Sequence, residues 1–329
     1  MPYNVGMSHP EIIIPFALPP AEHAKDLVKL LTSDCGKTGL ATLLSRYSTM
    51  QRDQFDDFSL ALPHEERLSK QHQYSELHYQ KNRLSVTLID GFWFLLQPIH
   101  LHIASNHLVL TDLRQLMLSD RDSRVLFQKA QELCSEAGLE LVYGDAAHWF
   151  LRADAWSDFT GASPDAACGH NIDIWSPKGE QIRSWRKLQN EIQMEWFIHP
   201  IQEQRQLRGE KNINGLWLWS GCLVQENQRL VHAAQPDLNI DLQTFMHTPR
   251  LAVLNHLSSA ALAGDWGTWA QKFAELDSHW FEPLCSALKS RELKTITLIL
   301  TNSNGLLNLQ VSSGSLRRFW RSPNFNLLI

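Results

Sequence analysis

The sequence predicts an α/β protein in which a mixed sheet is flanked by helices. Three observations lead there. Apolar residues recur at three- and four-residue steps in 21–32, 122–138, 180–197 and 266–289. Runs rich in β-branched and aromatic residues, bounded by turn formers, fill 84–112, 139–154 and 294–314. The two textures interleave without the regular β-α-β alternation that yields an all-parallel sheet. With 43% hydrophobic residues in 329, there is enough apolar material for a full core.

In order along the chain, EIIIPFALP at 11–19 reads as a short buried strand, and Pro15 inside it favours an edge position, where a missing N–H is tolerated. The following segment places Ala24, Leu27, Val28, Leu30 and Leu31 at helical spacing. Residues 34–82 are polar and read as peripheral helices or loops; the DQFDD carboxylates lack the calcium-loop pattern and read as a solvated face. SVTLIDGFWFLLQPIHLHIASNHLVLTD reads as a strand meander, with His100 and His102 sharing a face. DSRVLFQKAQELCSEAG is a helix with an Asp cap at its start and Gly138 at its end, and LELVYGDAAHWFLRAD is a pair of strands about a GD turn.

Turn formers surround a short NIDIW strand in 160–179, which sets the expected division at 1–165 and 166–329, two halves that also read as one continuous domain. A helix then runs from Gly179 and Glu180 to Phe197 and stops at Pro200. Leu216–Trp219 is a strand and Leu230–Ala234 a second; 249–263 and 266–289 are helices, the latter kinked or ended by Pro283. KTITLILTNSNGLLNLQVSSG is a hairpin, and LRRFWRSPNF closes the chain as a basic, aromatic tail.

Composition narrows the function. A net charge of −5 gives no field of the kind that displaces counterions from nucleic acid. Five cysteines, never spaced C-x-x-C, argue against a disulfide framework or a thiolate zinc site and suit a reducing compartment. No apolar run approaches the ~20 residues of a membrane span. The N-terminal segment lacks the pattern of a signal peptide, so the expected location is the cytoplasm. Twelve tryptophans are many; most are expected in the core, with a minority on a stacking surface.

Polar chemistry concentrates in 188–221, LQNEIQMEWFIHPIQEQRQLRGEKNINGLWLWSG. The helix before Pro200 supplies Asn190, Glu191 and Gln193. The loop after it supplies His199, Gln202, Arg205, Arg208 and Gly209, and a strand from Asn214 carries Trp217 and Trp219 and ends at Ser220 and Gly221. A guanidinium beside a turn of free N–H groups suits a phosphate or carboxylate. The same groups also serve helix capping, loop hydrogen bonding and core packing, since buried polar groups must be paired with or without a ligand.

This run resembles the signature of a bacterial family of RpfE-type regulatory proteins, distantly similar to archaeal-type cofactor-independent phosphoglycerate mutases. The shared pattern is Asn190 to Met194, His199 and Pro200, Arg205, Gly209, Ile213 with Asn214, Leu216 to Trp219 and Gly221. IPFALP, QPIHL, AHWFL and RRFW extend the resemblance over most of the chain. Gln202 stands where the family has Asn, and Ser220 and Cys222 where it has Gly.

The resemblance implies a fold similar to part of the alkaline-phosphatase and phosphoglycerate-mutase type. It also implies a ligand-binding set of Asn190, Glu191, Gln193, His199, Arg205, Asn214, Trp217, Trp219 and Gly221. The mutase chemistry needs a Ser or Thr nucleophile and two metal ions held by Asp and His clusters, and no D-H pair or D-x-x-x-H set occurs here. The expected function is therefore a non-catalytic regulatory protein that binds a small anionic ligand or a protein partner, with no catalytic residue, metal ligand or cofactor assigned. Two alternatives stand beside it. One is a metal-dependent phosphoryl-transfer enzyme using Asp90, His100, His102, Asp112, Asp173 and Asp237; the other is an interaction module docking through exposed tryptophans and Arg317 to Ile329.

Overall fold

A computed structural model of the chain describes residues 10–35, 38–56, 59–104, 107–225, 241–247 and 251–329. The expected strand at 230–234 lies outside them. In chain order the first elements are β1 (Glu11–Ile14), α1 (Ala21–Cys35), α2 (Gly39–Ser45), β2 (Thr49–Gln54), α3 (Pro63–His72) and α4 (Glu76–Arg83). Next come β3 (Gly91–Ile99), β4 (Leu101–Ala104), β5 (His107–Leu110), α5 (Asp120–Glu136), β6 (Glu140–Tyr143) and β7 (Trp149–Arg152). The middle holds α6 (Pro164–Ala167), α7 (Ile172–Trp175), α8 (Ile182–Phe197), α9 (Pro200–Leu207) and β8 (Gly215–Val224). The last part holds α10 (Leu242–His247), β9 (Leu251–Val253), α11 (Ser258–Leu262), α12 (Trp266–Leu276), α13 (Glu282–Ser290), β10 (Thr295–Thr301) and β11 (Gly305–Ser312). These make a mixed α/β protein, as expected.

The elements group into two compact units. One is built from Met1–Phe58, Leu62–His72 and Ala234–Ile329; the other from Ser59–Ala61 and Gln73–Ala233. The first unit is thus drawn from both ends of the chain and the second from its middle.

In the first unit the strand order is β2-β11-β10-β1-β9, with β1 parallel to both neighbours and β10, β11 and β2 antiparallel in succession. The Glu-Ile-Ile-Ile strand is buried on both faces, the usual environment of a strand with parallel neighbours. It is central rather than an edge, because Pro15 lies just past its last ladder position and removes no bond. Residues 249–263, expected as one helix, begin instead with β9, which pairs with β1. Pro283 neither ends nor simply kinks its helix. Residues 277–281 widen into a π turn, where the Glu282 N–H bonds to the Asp277 carbonyl, and α13 starts afresh with the proline in its first turn. The GLATLLS helix α2, expected to be peripheral, is buried along its whole length.

The second unit holds an antiparallel sheet of order β6-β7-β3-β8 and a β4–β5 hairpin. Trp149, Trp185, Leu188, Ile192 and Trp196 pack in its core with the apolar side of α5. NIDIW is the short helix α7 rather than a strand, because the Asn171 side chain accepts the Asp173 N–H and caps a helical turn. Among the twelve tryptophans, Trp320 alone is more than a third exposed, so the tryptophan excess belongs mainly to the cores.

Candidate functional site

The segment after α8 is a helix and not a loop. His199 accepts the Ile201 N–H on its Nδ1 at 3.2 Å and caps α9, while Pro200 occupies the first helical position, where a missing N–H costs nothing. Gln202 donates to the Ile213 carbonyl at 2.6 Å and accepts the Ile213 N–H at 3.0 Å. Asn214 grips Leu101 in the same two-bond way, at 2.8 and 2.7 Å. Each amide mimics a strand partner for one backbone residue.

Arg205 is completely buried. Its Nε donates to the Lys211 carbonyl at 2.9 Å and its Nη2 to the Leu116 carbonyl at 2.6 Å, and its Nη1 pairs with Asp122 at 3.2 Å and Glu210 at 3.0 Å. All three guanidinium nitrogens are engaged, so an anion gripped by Arg205 would have to displace a carboxylate that is itself held in place. Arg208 closes the same two carboxylates from the solvent side. Its hydrogen bond, with the Arg205 and Arg208 charges, draws the Glu210 carboxyl below the usual range despite the opposing effect of desolvation.

The remaining expected site residues are also accounted for internally or exposed. Trp217 donates to the Ala162 carbonyl at 2.8 Å and Trp219 to Gln97 at 2.7 Å. Gly221 is where Phe94 crosses the strand; a Cβ there would fall 2.4 Å from the ring. Gln193 lies over Gly215, where a Cβ would meet its amide at 3.2 Å. Asn190 and Glu191 are on the exposed side of α8, Glu191 within 3.8 Å of Lys187. The structure thus brings His199, Gln202, Arg205 and Asn214 into one clamp and leaves Asn190 and Glu191 outside it. Asp122 and Glu210, its carboxylates, are missing from the sequence-derived set. The Ser119-x-x-Asp122 spacing signals a helix start, and Ser119 does accept the Asp122 N–H at 3.1 Å, but nothing local ties Asp122 to Arg205.

Of the residues considered for metal chemistry, His100 and His102 stack at 6.2 Å between ring centroids. The His100 Nδ1–H donates to the Asn212 carbonyl at 2.8 Å. Burial lowers its pKa, as do the charges of Lys211, His102 and Arg205, against the effect of that bond. Asp112 pairs with Arg114 at 2.8 Å, and Asp237 lies outside the described residues. Among the described residues no three His, Cys, Asp or Glu side chains are grouped so as to hold a metal ion.

The tail has the opposite character. Arg318 donates to the Tyr47 carbonyl at 2.8 Å and Arg321 to the Ser45 carbonyl at 3.4 Å, its guanidinium 5.1 Å above the Tyr47 ring. Arg46 reaches back to the Arg321 and Leu316 carbonyls at 3.2 and 3.1 Å. Arg46, Arg318 and Arg321 thus put three guanidiniums at the C-terminal end of α2, whose carbonyl dipoles favour cations, and the exposed Arg317 adjoins them in sequence. Their described partners are carbonyls and a ring; among the described residues no ion pair neutralises them. Between them Phe319 and Trp320 stand 79% and 69% exposed, edge to face at 5.3 Å. Phe325 and Leu328 then enter the core and anchor the segment. A second exposed apolar stripe, Met194, Phe197 and Ile198, runs along α8.

No protein-family model matches the sequence, and no curated protein matches it. Among solved structures the chain is similar to a cofactor-independent phosphoglycerate mutase from Thermoplasma acidophilum. Identity is 12% and the TM-score 0.37, over 93% of this chain and 90% of that one. It is also similar to the PH0037 protein from Pyrococcus horikoshii, with 9% identity and a TM-score of 0.44, over 97% and 92%. At such identities nothing about activity follows from the likeness. Among the described residues no helix is long and apolar enough to cross a membrane.

Proposed function

We propose that this chain is a non-catalytic regulatory protein that captures an acidic segment of a protein partner on the patch formed by Arg46 and residues 317–321. The observation that carries this reading is the set of three guanidiniums, of Arg46, Arg318 and Arg321, without a carboxylate partner among the described residues, in a segment that also exposes the Phe319 and Trp320 rings. Arginine and tryptophan dominate binding energy at protein interfaces. The three guanidiniums are already fixed by backbone carbonyls, so little side-chain entropy is left to lose on binding. A fixed fork suits the defined geometry of carboxylates better than the diffuse charge of a lipid surface. The regulatory role is the one that the RpfE-type resemblance implies.

The test is fluorescence anisotropy of a labelled Glu/Leu peptide, and of its Lys/Leu counterpart, with the full chain. Binding of the acidic peptide alone, weakened by salt, is expected. A Phe319→Ser/Trp320→Ser double variant should bind it about 30-fold more weakly, the equivalent of ~2 kcal/mol. Equal affinity of the double variant overturns the proposal. So does binding of anionic vesicles or inorganic phosphate in preference to the peptide.

A further inference from the structure

A cavity of about 270 Å3 opens beside β8, between the strand and the segments at 159–161 and 177. It sits on an unfinished edge of the sheet. β8 is the outer strand of the order β6-β7-β3-β8, so alternate residues turn their backbone groups away from β3. Two observations fix which ones. Pro98, which has no N–H to give, stands opposite Leu216, and the Leu216 carbonyl accepts the Gln189 amide at 2.9 Å from the other side. Leu218, two residues on, therefore also points its N–H and carbonyl outward.

A loop runs along this edge without completing it. Thr160 exchanges backbone hydrogen bonds of 3.0 and 2.9 Å with Lys178, and the Trp217 indole holds the Ala162 carbonyl at 2.8 Å. Between those two pins Gly161 passes Leu218. A Cβ on the glycine would lie 3.0 Å from the Leu218 oxygen and 3.5 Å from the Pro177 ring. No hydrogen bond joins the two residues, and among the described residues neither Leu218 backbone group has a partner outside the strand ladder. Leu218 is 1% exposed. Buried backbone groups are almost always paired, so this donor and acceptor mark a place where a bound molecule completes the bonding.

The walls decide what that molecule is. Phe94 and Phe159 meet edge to face at 6.2 Å and, with Pro177 and Trp219, make an apolar, aromatic lining in which no side chain is charged. The volume lies just under the ~300 Å3 of the smallest ordinary ligand pockets, which is room for a single ring. The protein itself shows which group fits a strand residue whose N–H and carbonyl face the same way. Gln202 grips Ile213 and Asn214 grips Leu101, each primary amide giving an N–H to the carbonyl and taking the backbone N–H on its oxygen.

We propose that the cavity binds a neutral, single-ring aromatic primary carboxamide, its amide paired with Leu218 in the same two-bond way and its ring among Phe94, Phe159 and Pro177. The loop pins are in place before binding, so little ordering is left to lose. The site does not depend on the docking patch.

Ligand-observed NMR titration of the full chain with benzamide and with acetophenone tests it. The two probes share ring, carbonyl and shape, and only benzamide has an N–H to give. Benzamide should bind with a dissociation constant below ~10 mM, the value that ordinary ligand efficiency gives at this size. Acetophenone should bind at least ~10-fold more weakly, because it leaves the buried Leu218 carbonyl without a donor. Gly161→Ala, whose added methyl takes up the gap at Leu218, should weaken benzamide binding by at least ~10-fold as well. The comparison of probes needs no variant, and Gly161→Ala counts only where circular dichroism shows the native fold. Absence of benzamide binding at ~10 mM, equal affinity of the two probes, or unchanged benzamide affinity in folded Gly161→Ala overturns the proposal.

Discussion

The α9–β8 clamp and the 317–321 tail are both rich in arginine and tryptophan, yet one is saturated and the other is not. At the clamp every guanidinium nitrogen of Arg205 meets a carbonyl or a carboxylate inside the protein, and both ends of the Gln202 and Asn214 amides meet backbone. At the tail the described partners of Arg46, Arg318 and Arg321 are carbonyls and the Tyr47 ring, and the Trp320 indole and Phe319 phenyl rings are exposed. The difference teaches that residue type marks where polar chemistry is dense. Whether the chemistry is available depends on which groups the fold has already used.

Four experiments break or sharpen that contrast, from the largest effect to the smallest. Arg205→Leu strands Asp122 and Glu210, so urea unfolding should show a loss of about 3–5 kcal/mol; a loss under about 1 kcal/mol would mean that the clamp is not saturated.

Acid titration examines a second saturated pair, in the other unit. Glu11 begins β1 and receives Arg67 at 2.8 and 3.0 Å and His72 at 3.2 Å. Burial alone would raise its pKa, but the His72 and Arg67 hydrogen bonds and charges outweigh burial and hold it at about 2, against an ordinary 4.5. A lowered folded-state value contributes stability that is present above about pH 4.5 and is lost as pH falls towards 2, by up to roughly 3 kcal/mol. The urea midpoint of the wild type should drop across that window, and the drop should be shallower in Glu11→Gln. Parallel curves would remove Glu11 as the cause.

Gln202→Ala leaves both backbone groups of Ile213 without partners and should cost about 1–3 kcal/mol by the same unfolding measurement. Trp320→Ser changes a ring in solvent. Its unfolding free energy should stay within about 0.5 kcal/mol of wild type while peptide affinity falls; a larger stability loss would make the tail part of the packing.

Strong periodicity was readable without the structure. The α8 stripe, the Gly138 end of α5 and the β10–β11 hairpin all depend on residues a few positions apart, and they stand close to where the sequence places them, whereas the α5 N-cap is Ser119 and not the expected Asp122, which lies inside the helix. Short or wholly buried elements were not readable. Ile172–Trp175 is apolar enough for a strand, and a single Asn171 hydrogen bond makes it helical; Leu251–Val253 becomes a strand because β1 lies beside it. α2 is buried on all sides and so has no polar face to set a period. For the candidate sites, Arg205 and the RRFWR tail could be singled out from the sequence, whereas Asp122, Glu210 and the cavity beside Leu218 could not.

By itself the sequence determined the mixed α/β class, the absence of a basic field and the two places where cationic and aromatic groups are concentrated. Those follow from composition and from spacings of two to four residues. Only the tertiary structure decided that Arg205 is spent, that Arg317, Arg318 and Arg321 lack an ion-pair partner among the described residues, and that Leu218 borders a cavity walled by Phe94 and Phe159. Apart from Glu210, five residues beyond Arg205, the partners in those contacts lie tens to hundreds of residues away or are backbone groups, so no local pattern encodes them.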